Sequence, residues 1–187
     1  MIWFTSDWHL NDDRITKDFN PFFRPFCMLH PEKSKEELVD IQNKFIIDRI
    51  NQFVKEDDVL IHVGDVSIDV EGLELMKEIK CKERHLIIGN YDEDKLDSLD
   101  PHFTTMVESM TMGEHNIYLN HYPVNNVERP LFNVVGHIHG LWKVQRNMMN
   151  VGLDAWNFLP VSLDTILFTK TAIEEHYDDN VFPKTKK

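Results

Sequence analysis

"RHLIIGNYD", residues 84–92, is an aliphatic run that stops at Gly89 and hands over to Asn90, Tyr91 and Asp92. Leu86, Ile87 and Ile88 suit a buried strand, and Gly-Asn marks the turn that ends it. The same plan recurs along the chain. "IWFTSDWH" (2–9), "DVLIHVGDV" (58–66), "NIYLNHYP" (116–123) and "FNVVGHIHG" (132–140) are apolar runs ending in polar residues, and "MMNVGLD" (148–154) and "LDTILFTK" (163–170) repeat it with less chemistry. Short apolar runs of this kind fit strands of a sheet covered on both faces, although periodicity alone does not separate them from buried helix.

Between the first two runs, "SKEELVDIQNKFIIDRINQFV" (34–54) begins with Ser34 and has Glu37 three residues on, a capping-box pattern. Leu38, Ile41, Phe45, Ile50 and Phe53 then make a helical stripe. A weaker helix is expected from Val70 to Ile79, and a short acidic one from Asp92. The first half is therefore strand, helix, strand, helix, strand, and the second half mostly strand. That order predicts an α/β sheet unit continued by a second, largely antiparallel sheet.

Composition bounds the function. At 187 residues and 42% hydrophobic, the chain can bury one sizeable core, so a single domain over 1–187 is expected, with a solvated tail from about 180 ending in "PKTKK". A formal net charge of −12 argues against a protein that grips long nucleic acid through phosphate neutralisation. Cys27 and Cys81 lack CxxC spacing, and the opening "MIWFTSDWH" has no basic segment followed by a long apolar one, which points to a reducing, cytoplasmic setting. No apolar run approaches the roughly 20 residues a membrane span requires.

The chemistry lies at the ends of the runs. Alternate residues of an extended segment face one side, so Asp7 and His9 are expected to converge while Trp8 points away, and His137 and His139 likewise. Either pair alone has a bland explanation as satisfied polar residues at strand ends. Together with Asp65, Asn90 and His121 they place an oxygen or imidazole group at the end of five separate runs, where an α/β sheet forms its ligand crevice. Carboxylate, imidazole and amide oxygen suit borderline divalent ions such as manganese, iron, nickel or zinc. Seven side chains are too many for one such ion and enough for two, with Asp65 the candidate carboxylate between them.

The order "SDWH", "GDV", "GNYD", "NHYP", "GHIHG" resembles the calcineurin-like metallophosphoesterases, particularly their small single-domain bacterial and phage members, over about Ile2 to Ile166. "FRPF" and "NVGLDAWNFLPVSL" also look like stretches of those members. The resemblance implies a four-layer α/β/β/α sandwich of two mixed sheets, with a dinuclear metal site at the strand ends. It implies that Asp7, His9 and His139 hold one ion, that Asn90, His121 and His137 hold the other, and that Asp65 bridges. It further implies hydrolysis of a phosphate ester by a metal-bound hydroxide, with Asn90 also meeting substrate.

Tyr91 departs from the family's usual Gly-Asn-His-Asp or Gly-Asn-His-Glu, in which the histidine protonates the leaving oxygen. A free phenol has a pKa of about 10 against about 6.5 for imidazole, and is the weaker proton donor. Tyr91 either donates that proton or only packs beside substrate. Similar small phosphodiesterases also lack this histidine, so a phosphodiester, small or nucleotide-like, is the expected substrate. A non-catalytic metal-binding scaffold of the same fold is the alternative, and a nuclease the second. Arg24 and Arg14 both follow the first motif, where an arginine could take a substrate phosphate; Arg24 in "FFRPF" is the candidate, and Arg14 is read as a surface residue. Asp92 is expected to cap the helix after it, and His62 to be a satisfied core histidine. Phe19, Phe22, Phe23, Phe26 and Trp156 could line a pocket for a ring, although aromatics at this density usually form core. Oligomeric state is not legible.

Overall fold

The structure, a computed structural model, describes residues 1–17, 24–124 and 131–176. The expected alternation holds through the first half: strand β1 (Ile2–Thr5), helix α3 (Lys35–Phe53), strand β2 (Val59–His62), helix α4 (Val70–Leu73) running into a 3-10 segment to Glu78, and strand β3 (Glu83–Ile87). Two short helices, α1 (Asp13–Lys17) and α2 (Phe26–Leu29), stand between β1 and α3. Ser34 starts α3 as its sequence predicts. Its hydroxyl accepts from the Glu37 amide at 3.2 Å, and the Glu37 carboxylate accepts from the Ser34 amide at 2.9 Å.

The stripe of α3 is displaced from the expected one. Leu38, Ile46, Ile47 and Ile50 are buried, whereas Phe45 is 38% exposed and meets Phe26 and Phe158 at the edge of the core. Phe26 and Trp156 belong to the packed clusters and not to a ring-binding pocket, while Phe19, Phe22 and Phe23 lie outside the described residues, as does the expected tail.

Helix α5 (Leu96–Leu99) leads into β4 (Thr105–Val107), and β1, β2, β3 and β4 pair in parallel. The late strand β10 (Val161–Ser162) joins β1 antiparallel, giving the order β10-β1-β2-β3-β4. The second sheet is β5 (Ser109–Met112), β6 (Ile117–Asn120), β7 (Phe132–Val135), β9 (Met148–Asn150) and β8 (Val144–Gln145) in that spatial order. Its β6–β7 and β7–β9 pairings are parallel and only its edges are antiparallel, so it is mixed and not largely antiparallel.

Period-2 alternation sorts the side chains. Phe4, Ile61, Ile87, Leu119, Val134 and Met149 fill the space between the two sheets, while Leu60, Leu86 and Trp8 face α3 on the other side of the first sheet. The run "LDTILFTK" is not a strand but the start of α6 (Leu163–His176). Ile166 and Ile173, two turns apart on one helix face, enter the inter-sheet cluster and Leu167 packs against it, whereas Phe168 is 76% exposed.

Candidate metal centre

Eight of the nine site residues proposed from sequence, all but Arg24, converge at one end of the two sheets. Asp7, His9 and His139 bring ligand atoms within 4.8 Å of one another, and so do Asp65, His121 and His137. One atom joins the groups: Asp65 Oδ2 lies 3.5 Å from His9 Nε2 and 3.4 Å from His121 Nε2. Asn90 completes the second group, its Oδ1 lying 3.2 Å from His121 Nε2 and 3.1 Å from His137 Nδ1. Asp7, His9, Asp65 and His121 are buried, and Asn90 and His137 are exposed, so the cluster opens to solvent on one side. There a cavity of about 300 Å³ is flanked by Asp12, Arg14, Ile15 and Tyr91.

Convergence does not come from strand alternation. The ligands lie beyond the ends of β1, β2 and β7, and Asp7, His9, Asp65, His137 and His139 all take left-handed backbone, with φ of 58°, 47°, 62°, 70° and 50°. Such conformations are costly outside glycine and persist where surrounding contacts impose them. The contacts here are backbone hydrogen bonds from Asp7 N to Gly64 O (2.9 Å) and His9 N to Asp65 O (3.2 Å). The His137 amide in turn donates to the Asp7 carboxylate at 3.0 Å. Gly89 serves close approach: a Cβ there would stand 2.4 Å from Asp65 Oδ1, and left-handed φ among the glycines belongs to Gly64 at 90°.

The donor set fits divalent ions. His9 is 2% exposed, yet neither of its ring nitrogens has a hydrogen-bond partner among the described residues. A buried polar atom without a partner is costly, and a ligand bond removes the cost. The tautomers agree. His121 Nδ1 lies 2.8 Å from the Val63 carbonyl and His139 Nδ1 2.6 Å from Asp154 Oδ2, which leaves each Nε2 lone pair for the site. Burial drives the Asp7 carboxyl up to about 6 and the His9 imidazole down to about 3, shifts that favour a neutral site and that a bound cation would reverse for Asp7. Burial also opposes charge on His121, but the Asp65 carboxylate beside it prevails and carries its pKa up to about 9.

Three assignments change. Arg24 does not reach the cavity: its side chain is fully buried, Nε donates to Asp154 Oδ1 at 2.7 Å, Nη1 donates to the Trp8 carbonyl at 2.8 Å, and Nη2 donates to the Asp7 carbonyl. Arg24 thereby ties the "SDWH" turn to Asp154, which in turn accepts from His139. Arg14 is exposed, as read from the sequence, but its surface is the cavity wall. Asp92 does not cap α5. Its carboxylate turns inward and accepts from the amides of Gly89 (2.9 Å), Asp65 (2.8 Å) and Val66 (3.0 Å), clamping the turns after β2 and β3 together. His62 is in the core as expected, edge-on to Trp8 at 4.8 Å, but both ring nitrogens lack a partner among the described residues, and burial carries its pKa down to about 3.

Asp154 and Asn150 escaped assignment although both fall in the segments quoted above. Asn150 Nδ2 donates to the His139 and Trp142 carbonyls at 2.6 and 2.8 Å, holding the "GHIHG" loop. A polar residue at each end of "NVGLD" was the available signal.

The family model described as calcineurin-like phosphoesterase matches residues 1–177. A solved structure from Aquifex aeolicus, AQ665, described as a protein of unknown function, superposes with a TM-score of 0.62 at 22% identity, over 89% of this chain and 97% of that one. That likeness concerns the fold alone. No curated protein matches. Among the described residues, no helix is long and apolar enough to cross a membrane.

Proposed function

The chain belongs to the calcineurin-like phosphoesterase family and is a metal-dependent phosphoesterase, and from that premise we propose that it hydrolyses a small or nucleotide-like phosphodiester. Asp7, His9 and His139 would hold one divalent ion, Asn90, His121 and His137 a second, with Asp65 shared. Manganese, iron, nickel and zinc all suit these donors. When bound, the ions supply an activated water near neutral pH and neutralise phosphate oxygens. The observation that carries this proposal is the position of Asp65 Oδ2, within 3.5 Å of an imidazole nitrogen from each ligand group.

The chain's own residues do the rest. The exposed Asn90 amide stands at the cavity mouth, able to meet a phosphate oxygen. Tyr91 is held in place by its amide, which donates to Asp65 Oδ1 at 2.9 Å, and its ring stands edge-on to His9 at 4.9 Å. Its hydroxyl is the proton donor in the place where the family usually has histidine. Such a donor favours esters whose leaving groups need little protonation, and this supports diesters with acidic leaving groups over monoesters. The proposed setting is the reducing cytoplasm, in which Cys27 and Cys81 remain the free thiols they are here.

Metal analysis of the purified protein, followed by assay on bis(p-nitrophenyl) phosphate and p-nitrophenyl phosphate with manganese or nickel supplied, tests this directly. The diester is expected to turn over faster, and Asp65→Asn to abolish that turnover. Activity near wild type in Asp65→Asn with a full metal complement would remove the bridging assignment. Tyr91→Phe is expected to slow the reaction, and an unchanged rate would leave Tyr91 a packing residue.

A further inference from the structure

Arg14 is the only arginine or lysine among the described residues that line the cavity, in a chain of net charge −12. Its guanidinium is fixed from behind. Nε donates to Asp12 Oδ1 at 2.8 Å and Nη2 to Asp12 Oδ2 at 2.7 Å, a two-pronged pairing with a carboxylate whose side chain is 2% exposed. Asp12 Oδ2 is also 3.7 Å from His9 Nδ1, which sets the clamp against the wall of the ligand cluster.

The open edge of the guanidinium faces away from this anchor. Nη2 also donates to the Tyr91 hydroxyl oxygen at 3.3 Å, and Nη1 has no partner among the described residues. Because the phenol oxygen accepts from Arg14, its own O–H is left to donate elsewhere. Two donors therefore stand side by side, Nη1 of Arg14 and the hydroxyl of Tyr91. The Tyr91 ring touches both sides of the cavity, with His9 4.9 Å from its centroid and the Arg14 guanidinium carbon 5.5 Å from it. With the Tyr91 O–H given to the leaving oxygen of a phosphoryl group held at the ligand cluster, Arg14 Nη1 is left to a part of the same molecule beyond that oxygen.

Resting on the phosphoesterase function proposed above, we propose that Arg14, beside the Tyr91 hydroxyl, forms a second oxyanion subsite through Nη1, which selects phosphate esters carrying a further carboxylate or phosphate on the leaving group, about one aromatic ring away from the phosphorus. Arg14 is the specificity-determining residue, and Asp12 positions it.

Calorimetric titration of the manganese-loaded protein with non-hydrolysable analogues reads this without turnover. Phenylphosphonate is compared with 4-carboxyphenylphosphonate and with benzene-1,4-bisphosphonate, the last two separating a carboxylate from a phosphate-like second group. One or both are expected to bind about tenfold tighter than phenylphosphonate, the size of one charge-assisted contact. Arg14→Gln should bring that ratio close to one, and Arg14→Lys should keep part of it, since the point charge survives without the fork. Equal binding of all three by the wild type, no binding of any, or a ratio preserved in Arg14→Gln overturns the subsite. A preference that vanishes in Arg14→Gln while no ester is hydrolysed would uphold the subsite and sink the phosphodiesterase proposal. Hydrolysis without preference would do the reverse.

Discussion

Asp154→Asn is the substitution whose cost the structure predicts most sharply. Asp154 and Arg24 have fully buried side chains, and the guanidinium spends its remaining hydrogens on the carbonyls of Asp7 and Trp8. The asparagine keeps the volume but leaves a buried guanidinium with no counter-charge. Breaking a buried pair in this way costs about 3–5 kcal/mol. For a chain of this size that is a fall in Tm of about 6–20 °C. Burial opposes ionisation of Asp154, but Arg24 and His139 outweigh it and hold the carboxyl well below the usual range. The sign follows from that lowered value: the pair's contribution is complete above the unfolded carboxylate's pKa of about 3.9 and is lost only as pH falls below it. Urea unfolding of the metal-free protein at pH 7, followed by circular dichroism, gives the number. The double variant Arg24→Met, Asp154→Leu should recover much of the loss, because two apolar side chains of similar volume leave no buried charge. A cost below about 1 kcal/mol in Asp154→Asn, or a double variant as unstable as the two single losses added, would refute the buried-pair account.

Asp92→Ala leaves three buried amides without an acceptor and should cost about 3 kcal/mol or more in the same assay. Burial raises the Asp92 carboxyl to about 6 from 3.8, so its contribution is greatest below the lower value and declines as pH climbs through the higher; Asp92→Asn should therefore flatten the stability profile between pH 4 and 6. Metal uptake should release about one proton per chain at pH 7, since His121, raised to about 9, must become neutral to bind. Calorimetry in buffers of different ionisation enthalpy measures that release, and a heat independent of buffer would contradict it.

The ligands were legible because each ends an apolar run, and that pattern survives in one dimension. How they converge was not: alternation along a strand predicted the right residues for the wrong geometry, since left-handed φ at Asp7 or His139 is imposed by contacts with distant loops. The exchange of roles between Arg14 and Arg24 has the same origin. Both sit in the loop region after the first motif, and what separates them is Asp154, 130 residues from Arg24 in the chain. Asp92 looked like a cap because it precedes a helix; three inward amides, two of them from the β2 turn, claim it first. "LDTILFTK" carried the composition of a strand, and only the burial of Ile166 and Ile173, seven residues apart, identifies its period.

Asp7, His9, Asp65 and Asn90 follow strands of the first sheet, and His121, His137 and His139 follow strands of the second. Each proposed ion would draw donors from both, so it would rivet the sheets across their seam. Ion binding then raises the stability of the docked pair as metal concentration exceeds the dissociation constant. The strained loops that carry the donors hold their shape only once the sheets have met. Metal content thus becomes a folding gauge: a collapsed chain with native secondary structure but undocked sheets has no pocket to load, and a loaded chain has completed its tertiary assembly.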